Sequence, residues 1–302
     1  MKHHLIRFAT LIAAVVLFLV PFRISAQSAP ATPQKPKPPS SMRLYVFDCG
    51  VLHNPDMGRF NLKNEDVQTS DMSMACFLIA HPKGNLIWDT GAIPDDSWKP
   101  TGAMVTQHVK LPDGQQRDAD VDKTLVGQLK EIGYTPADIK YLVLSHYHYD
   151  HTGNANEFAG STWLVPQLEH DAMFGGKAFG TQQPSTYSAL EKSKTIIIKP
   201  GDYDVFGDGR VIIKSAPGHT QGHQVLYVKL AKTGGVLLTG DLYHYPAEKT
   251  LNRVPTFEYN QEQTRASRKE IEAFVQKAGA QLWIQHDFVG NAKLKKSPQF
   301  YE

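Results

Sequence analysis

Ten short apolar runs, rich in β-branched and aromatic residues, recur along the chain. They are RLYVFDCG from Arg43, MACFLIAH from Met74, NLIWDTG from Asn85, KYLVLS from Lys140 and STWLVP from Ser161. KTIIIKP from Lys194, RVIIKSAPG from Arg210, HQVLYVKL from His223, GGVLLTGD from Gly234 and AQLWIQHD from Ala280 complete the set. Most are bounded by Gly, Pro, Asp or Asn, as strands are. Three segments between them read as helical. DVDKTLVGQLKEIG spaces Leu125, Leu129 and Ile132 at helical intervals and stops at Gly133. TPADI reads as a cap and first turn, with Pro136 at the first helical position. NQEQTRASRKEIEAFVQKAG starts at a capping Asn260, turns Ile271, Phe274 and Val275 inward, and ends at Gly279. The stretch from Ile93 to Asp120 has weak periodicity and reads as one long loop. Many strands with a few amphipathic helices predict an α/β fold, a sandwich of sheets covered by helices.

The N-terminus differs in kind. Lys2 and Arg7 supply a basic start, Ala9 to Val20 an apolar core, and Ala26 a small residue suited to cleavage. That is the layout of a secretory signal peptide over residues 1–26. A retained anchor is the alternative, but the uncharged run is shorter than the ~20 residues that span a bilayer. The expected mature protein is periplasmic or secreted, without stable membrane insertion. Residues 27–41, QSAPATPQKPKPPSS, are rich in proline and small polar residues and read as a disordered tether. The globular domain is then expected over 42–302, a length that suits one large α/β domain.

Cleavage removes Lys2, Arg7 and Arg23 and no acids, so the formal charge of +2 becomes 2 − 3 = −1. Nothing in that balance calls for a nucleic-acid partner, and Lys293, Lys295 and Lys296 read as solvated surface. The two cysteines, Cys49 and Cys76, leave two readings open: a disulfide in an exported protein, or two buried thiols.

Candidate chemistry concentrates in HYHYDH, directly after the strand-like run YLVLS. His146 and His148 alternate and can turn to one side, and Asp150 and His151 can bend back toward the same point. Imidazole and carboxylate suit zinc and similar divalent ions. One loop thus offers four ligands, more than one tetrahedral ion with an open position uses, so two ions are expected. Further ligands stand at three later strand ends: His219 in SAPGHTQGH, Asp241 in LLTGD and His286 in LWIQHD. His223 is an alternative to His219. His53, His81, His108 and His170 read as ordinary surface or core histidines.

DTG (Asp89 to Gly91), the HxHxDH loop, PGHTQGH, GD and the final histidine together resemble the metallo-β-lactamase superfamily. The resemblance implies a four-layer αβ/βα sandwich with metals at the edge between two sheets. It implies that His146, His148 and His219 hold one ion, that Asp150, His151 and His286 hold the other, and that Asp241 bridges. Asp89 is similar to the family aspartate that steadies the metal loop. Zinc is the first expectation, with cobalt, manganese, nickel or iron as alternatives. Metal binding lowers the pKa of water from 15.7 to ~7. The expected reaction is therefore attack by a bridging hydroxide on a carbonyl, with Asp150 passing a proton to the departing alkoxide.

Ester, lactone, thioester, lactam and phosphoester substrates all occur in that superfamily, and fold alone does not choose. Asp150 together with Asp241 is unlike most true β-lactamases. RLYVFDCG, FLIAHPKGNLIWDTG, LVPQLEHDAMF and LWIQHD resemble the N-acyl-homoserine lactonases, which open the lactone ring of quorum-sensing signals. The alternative is another hydrolase on the same site: aryl esterase, organophosphate hydrolase, thioesterase or β-lactamase. Where many such lactonases place a substrate-assisting tyrosine, this chain has His244, flanked by Tyr243 and Tyr245. His244 and Tyr243 are therefore the candidates for that role. Met72, Met74, Trp98, Met104, Met173, Phe174 and Phe179 are candidates for an acyl-chain groove. Related lactonases are often dimers, so a homodimer is an open expectation.

Overall fold

The structure, a computed structural model, describes Met1 and residues 37–53, 56–111, 114–176 and 178–302. The expected signal peptide, apart from Met1, and most of the tether lie outside the described residues. Strand β1 (Arg43–Leu52) points Leu44 and Val46 to one face and Tyr45 and Phe47 to the other, and all four are buried. A strand covered on both faces belongs inside a layered stack.

Seven further strands join it: β2 (Met72–His81), β3 (Gly84–Trp88), β4 (Val105–Lys110), β5 (Gln116–Val121), β6 (Ile139–Val143), β7 (Thr162–Pro166) and β8 (Thr195–Ile198). Their order is β4-β5-β1-β2-β3-β6-β7-β8, parallel from β3 through β8 and antiparallel elsewhere. A second sheet holds β9 (Asp202–Asp204), β10 (Val211–Ser215), β11 (Gln224–Leu230), β12 (Gly234–Leu238) and β13 (Gln281–Trp283), in the order β13-β12-β11-β10-β9. Leu44, Val46, Phe77, Ile79 and Trp88 of the first sheet pack with Ile213, Leu226, Val228, Val236 and Leu238 of the second.

The helices are α1 (Leu125–Glu131), α2 (Tyr149–Thr152), α3 (Gln167–Phe174), α4 (Pro246–Thr250), α5 (Gln261–Ala278) and α6 (Phe288–Ala292), of which α1, α3 and α5 cover the outer faces. Leu125 and Leu129 of α1 and Met173 of α3 join the cluster of Tyr45, Phe47 and Leu78. Ile271 and Phe274 of α5 cover Val225, Tyr227 and Leu237. The result is the four-layer αβ/βα sandwich. Helix α5 has the expected ends: the Asn260 side chain accepts from the Glu262 and Gln263 amides, and Gly279 is left-handed at φ 59°. TPADI forms a single 3-10 turn, Pro136–Asp138, capped by Thr135. Among the described residues no helix is long and apolar enough to cross a membrane.

One expectation needs correcting. Residues Ile93 to Asp120 are not all loop, because β4 and β5 pair as an antiparallel hairpin within them. The hairpin is polar and half exposed, so no apolar run marks it; cross-strand bonds from Thr106 to Asp120 (2.6 Å) and between His108 and Asp118 (2.7 Å) hold it instead. It reaches β1 through a bulge at Gly50, whose φ of 114° carries the strand from β2 toward β5. A Cβ there would sit 2.6 Å from the Asp120 carbonyl oxygen, so only glycine fits. Next to it, Cys49 and Cys76 form a disulfide, which decides between the two cysteine readings.

Candidate metal centre

Strand ends from both sheets meet at one edge. The loop after β6 brings His146, His148, Asp150 and His151; the turns after β10, β12 and β13 bring His219, Asp241 and His286. Gln224 stitches the sheets at this point, its amide donating to the Ser145 carbonyl (3.0 Å) and its side chain to the Leu144 carbonyl (2.8 Å). The turn carrying Asp241 packs tightly: a Cβ on Gly240 would meet Ser145 Cβ at 2.6 Å and His223 Nε2 at 2.8 Å.

Ligand atoms fall into two groups, each with atoms within 4.8 Å of one another: His146, His148, His219 and Asp241, and Asp150, His151, Asp241 and His286. Asp241 belongs to both because its carboxylate oxygens face different ways. Oδ2 lies 3.3 Å from His219 Nε2 and 3.6 Å from His146 Nε2, whereas Oδ1 lies 3.0 Å from both His151 Nε2 and His286 Nε2. Asp150 Oδ2 closes the second group at 3.6 Å from His286 and 3.8 Å from His151.

Each histidine has one nitrogen held by the protein and the other aimed at the cluster. His146 Nδ1 meets the Ser145 hydroxyl (3.0 Å), His151 Nδ1 meets Asp89 (2.8 Å), and His219 Nδ1 meets Glu258 (3.0 Å). His286 Nδ1 faces the Ser73 carbonyl (2.8 Å), and His148 Nε2 faces the Phe179 carbonyl (3.2 Å). That is how metal-binding imidazoles are oriented. His146 Nε2, His151 Nε2, His286 Nε2 and Asp241 Oδ1 are buried without any hydrogen bond, close together but misaligned for bonding to one another. Orphaned buried polar atoms are costly. Two divalent cations would satisfy all four, so the residues fit the ions.

Electrostatics agrees. Burial opposes charge on the cluster, yet Asp241 stays well below the usual carboxylate range because His151, His286, His146 and His244 surround it. Burial likewise opposes protonation of His219, but Glu258 and Asp241 raise it to about 9, and Asp241, Asp89 and Asp150 raise His151 well above its ordinary value. Burial and neighbouring imidazoles hold His146 and His148 well below theirs. The pocket thus demands positive charge, which divalent ions supply without protons.

Asp89 supports the loop from a strained backbone, φ 55°. It accepts from the Ser145 amide (2.6 Å) and from Gln285 (2.7 Å) besides contacting His151. His223 is not in either ligand group: its Nε2 accepts from the Asp241 amide (2.9 Å), steadying that turn, and burial pushes it down to about 3. His244 does reach the centre, with Nε2 3.2 Å from Asp241 Oδ2 and Nδ1 3.1 Å from Glu248. Tyr243 does not: its hydroxyl donates to Glu272 and its ring lies under Arg268, while the Tyr245 hydroxyl donates to the Ser70 carbonyl (2.7 Å). Strand-like alternation around His244 sends both neighbours the other way.

A cleft of about 700 Å³, open to solvent, leads to the cluster, with His148, Asp150, His219, Asp241 and His244 at its inner end. Its apolar walls are Leu52, Phe60, Met72 and Phe257. Of the groove candidates only Met72 is there. Met74, Trp98 and Met173 are core, Phe174 packs against that core, Met104 is exposed, and Phe179 packs edge-on against Tyr259. Phe60 and Phe257 come from segments with no periodic signal, so nothing in their local sequence marked them.

Layering and ligand set define a class, and the chain belongs to the metallo-beta-lactamase superfamily, whose model matches residues 73–277. More narrowly, it is 29% identical over 280 residues to the N-acyl homoserine lactonase AttM of Azorhizobium caulinodans, covering 87% of this chain and 100% of the relative. It is 28% identical over 228 residues to the N-acyl homoserine lactonase AiiA of Bacillus thuringiensis subsp. kurstaki, covering 74% and 85%. Among solved structures, a B. thuringiensis AiiA variant with N-decanoyl-L-homoserine bound matches with a TM-score of 0.69 at 24% identity, over 86% of this chain and 99% of that one. AidC, a dizinc quorum-quenching lactonase, matches at 0.59 and 17%, over 86% and 94%.

Proposed function

We propose that this chain is a dinuclear metal-dependent hydrolase that opens the lactone ring of N-acyl homoserine lactones outside the cytoplasm. The observation that carries the reading is the division of six ligands around the two oxygens of a seventh, Asp241, at the end of an apolar-walled cleft. Lactonases similar to it over nearly their whole length supply the substrate class. His146, His148 and His219 would hold one ion, Asp150, His151 and His286 the other, and Asp241 both; zinc suits such donors. Such ions supply Lewis-acid polarisation of a carbonyl and a water acidic enough to react near neutral pH.

The chain's own residues do the rest. Leu52, Phe60, Met72 and Phe257 enclose the acyl arm and exclude water from it. His244, oriented by Glu248, presents Nε2 where a substrate carbonyl oxygen gathers charge. Asp150 lines the cleft and is placed to hand a proton to the departing alkoxide. Export through the leader 1–26 is supported by the Cys49–Cys76 disulfide, a bond that persists in oxidising compartments. Acid release measured at constant pH tests the reading with an acyl lactone, an aryl ester, a phosphotriester and a β-lactam side by side. Turnover led by the lactone, with about two metal ions per chain, is expected. Faster phosphotriester or aryl-ester turnover would overturn the substrate, and turnover without metal would overturn the site. An N-terminus at Gln27 on protein recovered from the periplasm is the expected mark of export; an intact leader in the cytoplasm would refute it.

A further inference from the structure

Two guanidinium groups overlook the metal cleft with no carboxylate in ion-pair contact among the described residues. Arg59, in the 3-10 turn Met57–Phe60, and Arg117, in β5, both line the cleft. Both stand on the cleft that Tyr149, between the ligands His148 and Asp150, also lines. Arg59 is half-buried, its guanidinium 4.9 Å from the centre of the Phe257 ring. Arg117 donates only to neutral groups, the Gln116 carbonyl (3.1 Å) and the Gln115 side chain (2.5 Å). The acids at the mouth have imidazole partners of their own. His53 lies between Asp71 (2.9 Å) and Asp120 (3.0 Å), and Asp118, which also lines the cleft, is occupied by His108 (2.7 Å).

A guanidinium drawn out of water without an acid is unfavourable, and one carboxylate from a ligand can answer two of them through charge-assisted hydrogen bonds. A neutral alkyl chain gains nothing from either. Leu52, Phe60, Met72 and Phe257 line the same cleft as the arginines, and Arg59 lies against Phe257, so an anion held there belongs to the arm that those walls enclose.

We propose that Arg59 and Arg117 form an anion subsite, and that the preferred substrates are lactones whose acyl arm carries a carboxylate. The substrate class rests on the lactonase reading; the subsite itself does not. Two non-hydrolysable lactams test it, N-octanoyl-homoserine lactam and its ω-carboxylated counterpart, titrated by calorimetry into the zinc-loaded chain. The carboxylated lactam should bind about tenfold more tightly in low salt, with the ratio falling severalfold at about 0.5 M NaCl. Arg59→Gln and Arg117→Gln should each cut that ratio at least about threefold, and the Lys substitutions should restore part of it. A ratio of one or less, or a ratio that neither substitution moves, overturns the subsite. Acid release from the two matching lactones separates the readings. Preferential binding without opening of either ring keeps the subsite and sinks the lactonase, whereas ring opening with no preference does the reverse.

Discussion

Glu169 is the residue whose replacement tests the site's scaffold most sharply. It sits on α3, buried, and its carboxylate ties two ligand loops together. Oε2 accepts from the Tyr147 amide (3.1 Å), within the histidine loop; Oε1 accepts from the Thr220 hydroxyl and the Gly222 amide (2.8 Å), beside His219. Burial outweighs the bonds from Thr220 and Gly222 and raises its pKa from 4.5 to about 7. The sign follows from proton counting: between those values the unfolded chain has released the proton while the folded chain keeps it. Stability contributed by this group is therefore lost as pH rises through that window, by about 3 kcal/mol in all.

Glu169→Gln keeps an oxygen for Thr220 and Gly222 but turns an amide NH2 toward the Tyr147 N–H. One buried donor is orphaned, at a cost of about 1–3 kcal/mol. At pH 4.5 the variant should be less stable than wild type by that amount. At pH 8 the wild-type ionisation cost is present and the variant's is not, so the gap should close or reverse, moving about 3 kcal/mol in the variant's favour. Urea unfolding of both proteins at several pH values, followed by tryptophan fluorescence, reads the difference, and contributions common to both cancel. A gap that stays constant with pH, or widens against the variant above pH 7, refutes the argument.

Other substitutions probe the centre itself. His148→Ala should lose most of the bound metal and nearly all turnover while circular dichroism stays near wild type; full metal occupancy with retained turnover would contradict the ligand assignment. Glu258→Gln exchanges the carboxylate behind His219 for a neutral amide and should weaken metal binding about 10–100-fold in a competition with a chelating dye; an unchanged affinity would remove Glu258 from the site. His244→Phe should lower kcat on an acyl lactone about 100-fold or more with KM little changed, and His244→Tyr should recover part of it. Tyr243→Phe should alter kcat less than about threefold; a larger loss would mean that its bond to Glu272 is not its resting role.

What the sequence disclosed and what it concealed divide along physical lines. The ligands were legible because each ends an apolar strand, and a run such as YLVLS or GVLL announces where its loop emerges. Ligand chemistry then needs only residue type and position, and the two groups around Asp241 have the membership that the family resemblance implied. The polar hairpin β4–β5 was not legible, because its strands alternate between exposed and half-buried polar residues and only the cross-strand partners, far along the chain, make it a strand pair.

The acids behind the histidines were concealed for a different reason. Glu169, Glu248 and Glu258 look like ordinary surface residues in QLEHDAMF, PAEKT and FEYN, yet all three are buried. Each is there because a polar group elsewhere needs an acceptor: the Tyr147 and Gly222 amides, His244 together with Arg268, and His219. The need arises only once the ligands have converged, so no local pattern encodes it. Five imidazoles aimed into one cluster require partners for their outward nitrogens, and a carboxylate, carbonyl or hydroxyl stands behind each. The ligand motif therefore predicts that buried acceptors exist, and only the fold says which groups they are.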